Sequence, residues 1–132
     1  MKNQVTSIEQ SHRLLELGVP AEKASMGFMD GELKTMDECR QALGAGFGVK
    51  IAPAFTVTDL LEKVLPNVIQ TKHNIYELTL SAMAGGGWRF YYQPALAEFE
   101  TDNIGDEMSD DLITLLCDRV EWLLSNGYKL ND

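Results

Sequence analysis

The spacing of hydrophobic positions changes along the chain, and each change marks an element. Between Ser109 and Tyr128, Leu112, Leu116, Val120 and Leu123 recur at helical intervals, with Ile113, Cys117 and Leu124 in the adjoining row. The pattern predicts a helix over 109–128 with a broad apolar stripe that the rest of the protein must cover. Asn126-Gly127 supplies its stop, Gly127 taking the left-handed conformation. From Asn74 the period shortens to two. Tyr76, Leu78, Leu80 and Ala82 fall on one side of a predicted strand and Ile75, Glu77, Thr79 and Ser81 on the other, so the first set should face the core. Gly85-Gly86-Gly87 then separates this strand from the aromatic run Trp88-Arg89-Phe90-Tyr91-Tyr92, its expected hairpin partner.

The amino half reads as helices with short extended pieces between them. Ser7-Ile8-Glu9-Gln10 has the form of a capping box and opens a helix carrying Leu14, Leu15 and Leu17. Gly18 ends that helix, and Pro20 suits the first turn of a short one through Ala24. Met26 to Met29 and Leu33 to Met36 are expected to pair across the tight turn Asp30-Gly31. Asp37 to Leu43 is helix-compatible. Val49-Lys50-Ile51 is extended, and Pro53-Ala54-Phe55 should enter a central helix capped by Thr56 or Thr58, with Leu60, Leu61, Val64 and Leu65 buried and Pro66 as its end. After Pro94, Ala95 to Glu100 alternates and predicts a third strand, and Asn103 to Asp106 reads as the loop into the last helix.

These elements predict one α+β domain over residues 1–132, a small antiparallel sheet of three to four strands with the amino-terminal, central and carboxyl-terminal helices packed on it. A chain of 132 residues buries about two thirds of its unfolded surface and needs no metal or disulfide to hold it together. Cys39 and Cys117 have no CxxC spacing and are expected to be free thiols. MKNQVTSIEQ lacks the apolar core of a signal peptide, and no run approaches the ~18 apolar residues of a membrane span. The expectation is a cytoplasmic protein.

Charge sharpens this picture. The formal net charge of −9 divides into −2 over residues 1–66 and −7 over 67–132. Such a balance opposes direct nucleic-acid binding, which needs basic side chains to displace counterions, and opposes attraction to anionic lipid. It leaves room for a basic protein partner, and self-association stays open.

Three stretches, SHRLLELGVPAEKASM at 11–26, PAFTVTDLLEKVLP at 53–66 and EWLLSNGYKL at 121–130, resemble a family of small uncharacterised proteins encoded by gut bacteria and their mobile elements. The matching features are an opening leucine-rich corner before a proline, a central capped helix after an extended stretch, and a final helix ending in Asn-Gly-Tyr. The resemblance covers about a third of the chain. It implies an α+β fold with helices against a small antiparallel sheet, and it lends no activity, cofactor or catalytic residue.

Candidate chemistry is sparse. Gly44-Ala45-Gly46-Phe47-Gly48 follows a predicted helix and leads into an extended segment, the wrong context for a dinucleotide fingerprint, and no Lys-Ser or Lys-Thr follows the triple glycine. His12 and His73 stand far apart in sequence, without a second His or a Cys at metal-ligand spacing. No catalytic residue, metal ligand or cofactor site is predicted. The distinctive feature is the run Glu98, Glu100, Asp102, Asp106, Glu107, Asp110 and Asp111, seven carboxylates with no Lys or Arg between Arg89 and Arg119. Four of them, Asp106, Glu107, Asp110 and Asp111, are expected at or near the positive end of the last helix, where they suit its dipole. The whole run would also serve as an acidic surface for a basic protein, imitating nucleic-acid phosphates. Asp102-Asn103-Ile104-Gly105-Asp106 lacks the alternating ligands and distal Glu of a calcium loop. The function expected is therefore a non-enzymatic interaction domain. The alternative is a small-molecule-binding domain or enzyme with a pocket between sheet and helices.

Overall fold

The computed structural model describes residues 4–44, 50–96 and 102–132. Helix α1 (Ile8–Glu16) begins at the capping box that its sequence predicts, the Ser7 hydroxyl accepting from the Gln10 amide and the Gln10 side chain accepting from the Ser7 amide. Gly18, at φ +100°, turns the chain into a 3-10 turn, Ala21–Lys23. Strands β1 (Met26–Met29) and β2 (Glu32–Thr35) pair across Asp30-Gly31, and helix α2 (Met36–Gly44) follows. The GxGxG stretch beyond Gly44 lies outside the described residues apart from its first glycine.

Pro53 and Ala54 do not enter the central helix as the sequence suggests. They belong to β3 (Ile51–Ala54), which pairs with β1 and completes a three-stranded antiparallel sheet in the order β2-β1-β3. The helix starts at the first of its two expected caps, Thr56, which forms a reciprocal cap with Asp59. Helix α3 comprises Val57–Asp59 and continues as a π-helix over Leu60–Val64, closed by the Leu65 amide donating to the Leu60 carbonyl at 2.8 Å. The Val64 and Leu65 carbonyls at its end accept from the backbone and side-chain nitrogens of Asn131.

The second sheet has four antiparallel strands in the order β4-β5-β6-β7: β4 (Val68–Gln70), β5 (Ile75–Ala82), β6 (Trp88–Pro94) and β7 (Ile104–Ser109). The β5–β6 hairpin is the one its alternation predicts, with Tyr76, Leu78 and Leu80 facing Pro94, Tyr92 and Phe90 in register. Strand β7 is a correction. Residues 103–106 read as a loop, yet Ile104, Gly105 and Asp106 belong to the strand and Ile104 pairs with Tyr92 of β6, whereas Ala95 and Leu96 of the expected third strand are not in a strand and residues 97–101 lie outside the described ones. The final helix, α4, accordingly runs from Leu112 to Ser125 rather than from Ser109, with Asp111 as its cap residue.

The fold is thus α+β, with the expected three helices at its centre and its strands divided between two sheets. The core joins Leu14 of α1, Phe55, Leu60, Val64 and Leu65 around α3, Phe90 and Tyr92 of β6, and Leu115, Leu116, Val120 and Leu123 of α4. An aromatic series binds the sheet to α4: Phe90 meets Tyr92 edge-on at 5.4 Å, Tyr92 stacks on Trp122 at 6.4 Å, and Trp122 leans on Tyr128 at 5.7 Å. Both cysteines are free, as expected. Among the described residues no helix is long and apolar enough to cross a membrane.

Candidate functional site

The described part of the acidic run, from Asp102 to Asp111, falls on and beside β7 and the turn into α4, where local geometry separates its members. Between the pairs Tyr92–Ile104 and Phe90–Glu107 lie one residue of β6, Tyr91, and two of β7, Gly105 and Asp106. This is a β-bulge, and Gly105 supplies its left-handed residue at φ +66°. The extra residue shifts the alternation. Glu107 therefore shares the α4 side of the sheet with Phe90, while Asp106 and Met108 lie on the outer side with Arg89.

Each side has its own cation. On the outer face Asp106 accepts both nitrogens of the Arg89 fork, and Arg89 also lies over the Tyr91 ring at 4.5 Å. The Arg89 hydrogen bonds hold the Asp106 carboxyl below the usual carboxylate range, outweighing a smaller opposing effect of burial. On the inner side Arg119 is 11% exposed; it donates to the Gly105 carbonyl at 3.2 Å, approaches Glu107 at 3.8 Å and lies 5.7 Å from the Trp122 ring. The two arginines that bracket the run in sequence thus neutralise its middle in space.

Asp106 and Glu107 do not stand at the positive end of α4, as their place in the chain suggests, but within β7. Asp110 and Asp111 do stand at that end. Asp111 accepts from the Thr114 hydroxyl at 2.7 Å, and Thr114 in turn accepts from the Gln10 amide group, linking the start of α4 to α1. Asp102 and Asp110 are exposed, and neither has a Lys or Arg nitrogen within salt-bridge distance among the described residues. Glu98 and Glu100 lie outside the described residues.

Sequence reasoning missed a cleft of about 310 Å³ beside Asp110, lined by Met83, Gly86, Gly87, Trp88, Met108, Ser109 and Asp110. The Met83 amide donates to the Gly87 carbonyl and the Gly86 amide to the Met83 carbonyl, folding the glycine turn back on itself. Gly87 has φ +85°, and a Cβ there would stand 3.0 Å from Asp110 Oδ1. Glycine is therefore what lets the turn and the carboxylate share this space. The exposed methionines Met83 and Met108 were the available signal, visible only once the bulge fixes their direction.

Elsewhere, His12 is exposed on α1, 3.7 Å from Glu16, and His73 is exposed in the β4–β5 turn. Burial pushes the Cys117 thiol up to about 12, with Asp118 and Asp111 adding to the effect, so this thiol is not a ready nucleophile. Among the described residues no group of three or more His, Cys, Asp or Glu side chains could hold a metal ion. Comparison with protein-family models, with curated proteins and with solved structures gives no match.

Proposed function

We propose that the chain is a non-enzymatic interaction domain of the cytoplasm that binds a basic protein through the acidic edge from Asp102 to Asp111. One observation carries this reading. Asp102 to Asp111 lie on and beside β7, the terminal strand of the four-stranded sheet, and Asp102 and Asp110 remain exposed there with no Lys or Arg nitrogen in salt-bridge range among the described residues. Carboxylates that already form intramolecular pairs have little left to offer a partner, whereas unpaired ones at a sheet edge attract and orient an incoming basic surface. The layer between sheet and helices is filled by Phe90, Tyr92, Leu116, Val120 and Leu123, each 0% exposed, and this packing favours the interaction reading over a ligand pocket in that layer.

The test is capture of partners from lysate of the source cells by the full chain and by the double reversal Asp102→Lys, Asp110→Lys. The expected result is a basic protein retained at low salt, weakened at moderate salt and lost on reversal, with an unchanged circular-dichroism spectrum. Equal capture by both chains would refute the acidic edge.

A further inference from the structure

We infer that the cleft at the β5–β6 turn is a seat for one lysine or arginine side chain of a basic protein; this rests on the function proposed above and names the contact that would give it specificity. The lining divides by chemistry. Met83 and Met108, 37% and 59% exposed, provide apolar walls, and Asp110 provides one carboxylate, while the Trp88 indole packs on the opposite side against the core. Unbranched thioethers adapt to whatever aliphatic stem enters. A long cationic side chain satisfies both parts at once, its stem along the methionines and its head at the carboxylate.

Charge complementarity selects this occupant over an apolar one. The cleft lining contains no Lys, Arg or His, and Arg89 nearby is held by Asp106 and the Tyr91 ring. An uncharged segment would leave Asp110 facing apolar surface without compensation. A second copy would bring the same surplus of carboxylates, since the half of the chain that builds the cleft carries a charge of −7. Gly86 and Gly87 place no side chain across the entrance, and Asp110 Oδ1 borders the space that a Cβ of Gly87 would occupy.

The experiment uses the isotope-labelled full chain and three acetylated, amidated pentapeptides, Ala-Leu-X-Leu-Ala, in which X is lysine, norleucine or glutamate. Binding is followed by NMR at the Asp110 amide N–H and the Met83 and Met108 methyl groups. The lysine peptide is expected to give saturable shifts at all three, with affinity about tenfold lower for the norleucine peptide and for Asp110→Asn, and unchanged for Asp102→Asn. Equal affinity for norleucine and lysine would overturn the cation seat. Shifts confined to residues around Asp102, with the cleft silent, would also overturn it while leaving the acidic edge standing. Because Met83 and Met108 are exposed, Met83→Lys and Met108→Lys should fold normally and abolish lysine-peptide binding. If a basic partner is captured from lysate and still binds both variants undiminished, the partner uses the acidic edge and not this cleft.

Discussion

The two sheets of this protein are held by different means. The four-stranded sheet packs large side chains, Phe90 and Tyr92 against Leu116, Val120 and Leu123, all inaccessible to solvent. The three-stranded sheet contributes no residue to that core cluster, and its interface with α2 is built on small groups, Gly27 of β1 against Cys39 of α2. One half is stabilised by apolar area and the other by close approach of backbone. Equivalent damage should therefore have unequal effects.

Truncation tests the difference most strongly. Leu116→Ala removes a fully buried side chain from α4 and should cost about 2 to 5 kcal/mol in chemical denaturation. Leu33→Ala, on half-buried β2, should cost about 1 kcal/mol or less. Comparable losses would show that both sheets belong to one core.

The joint between the halves comes next. Asp59 of α3 is 2% exposed and accepts from the Ser25 amide and hydroxyl, each at 2.8 Å, from the Thr56 amide, and from Lys63 at 3.0 Å. Ser25 immediately precedes β1, and its carbonyl accepts from the first amide of α2. Asp59→Ala strands these donors and should cost about 2 to 3 kcal/mol, loosening the three-stranded sheet first in hydrogen exchange. Burial alone would raise the Asp59 pKa, but the hydrogen bonds from Thr56, Ser25 and Lys63 together hold it below its ordinary value. A depressed carboxylate stabilises the fold above its unfolded pKa of about 3.9, and that stability is lost as pH falls through the lower folded value. Asp59→Asn should flatten the acid limb of the stability profile; an unaltered limb would mean that the carboxylate charge is not what the joint uses.

The smallest effects separate two glycines. A Cβ on Gly105 would strike the Trp122 ring at 2.8 Å from a left-handed backbone, so Gly105→Ala should cost about 1 to 3 kcal/mol and perturb Trp122 fluorescence. Gly27 has ordinary backbone, and its Cβ would press on the Cys39 sulfur at 3.1 Å and on Ile51 at 3.2 Å. Gly27→Ala should cost about 1 kcal/mol, partly restored by Cys39→Ala. Absence of any restoration would remove that sulfur from the packing between β1 and α2.

Local signals carried most of the helices. The Ser7 and Thr56 caps, the stop at Gly18 and the stripe of α4 were legible because each depends on residues within one or two turns. The β5–β6 hairpin was legible for the same reason. Strand β7 was not, since its bulge inserts Gly105 where alternation should continue, and the phase error imitates a loop. At three residues, β4 is too short to show a period, and the split into two sheets depends on pairings such as Gly27 with Pro53 that no local pattern reveals. The candidate site was legible as composition only. That the run held many carboxylates was plain, but that Arg89 and Arg119 reach back to neutralise two of them is a property of strand register.

The bulge at Gly105 is in effect a counting device. It absorbs one residue, so that Glu107 and Met108 keep the partners, and the faces, that a strand one residue shorter would give them in a regular ladder. Strict alternation of the full segment from Ile104 would instead turn Met108 inward against α4 and bring Glu107 out beside Arg89. The surface character of this end of the molecule is therefore insured against length: deletion of Gly105 leaves Ile104 opposite Tyr92, Asp106 opposite Tyr91 and Glu107 opposite Phe90, and both faces stand as they are.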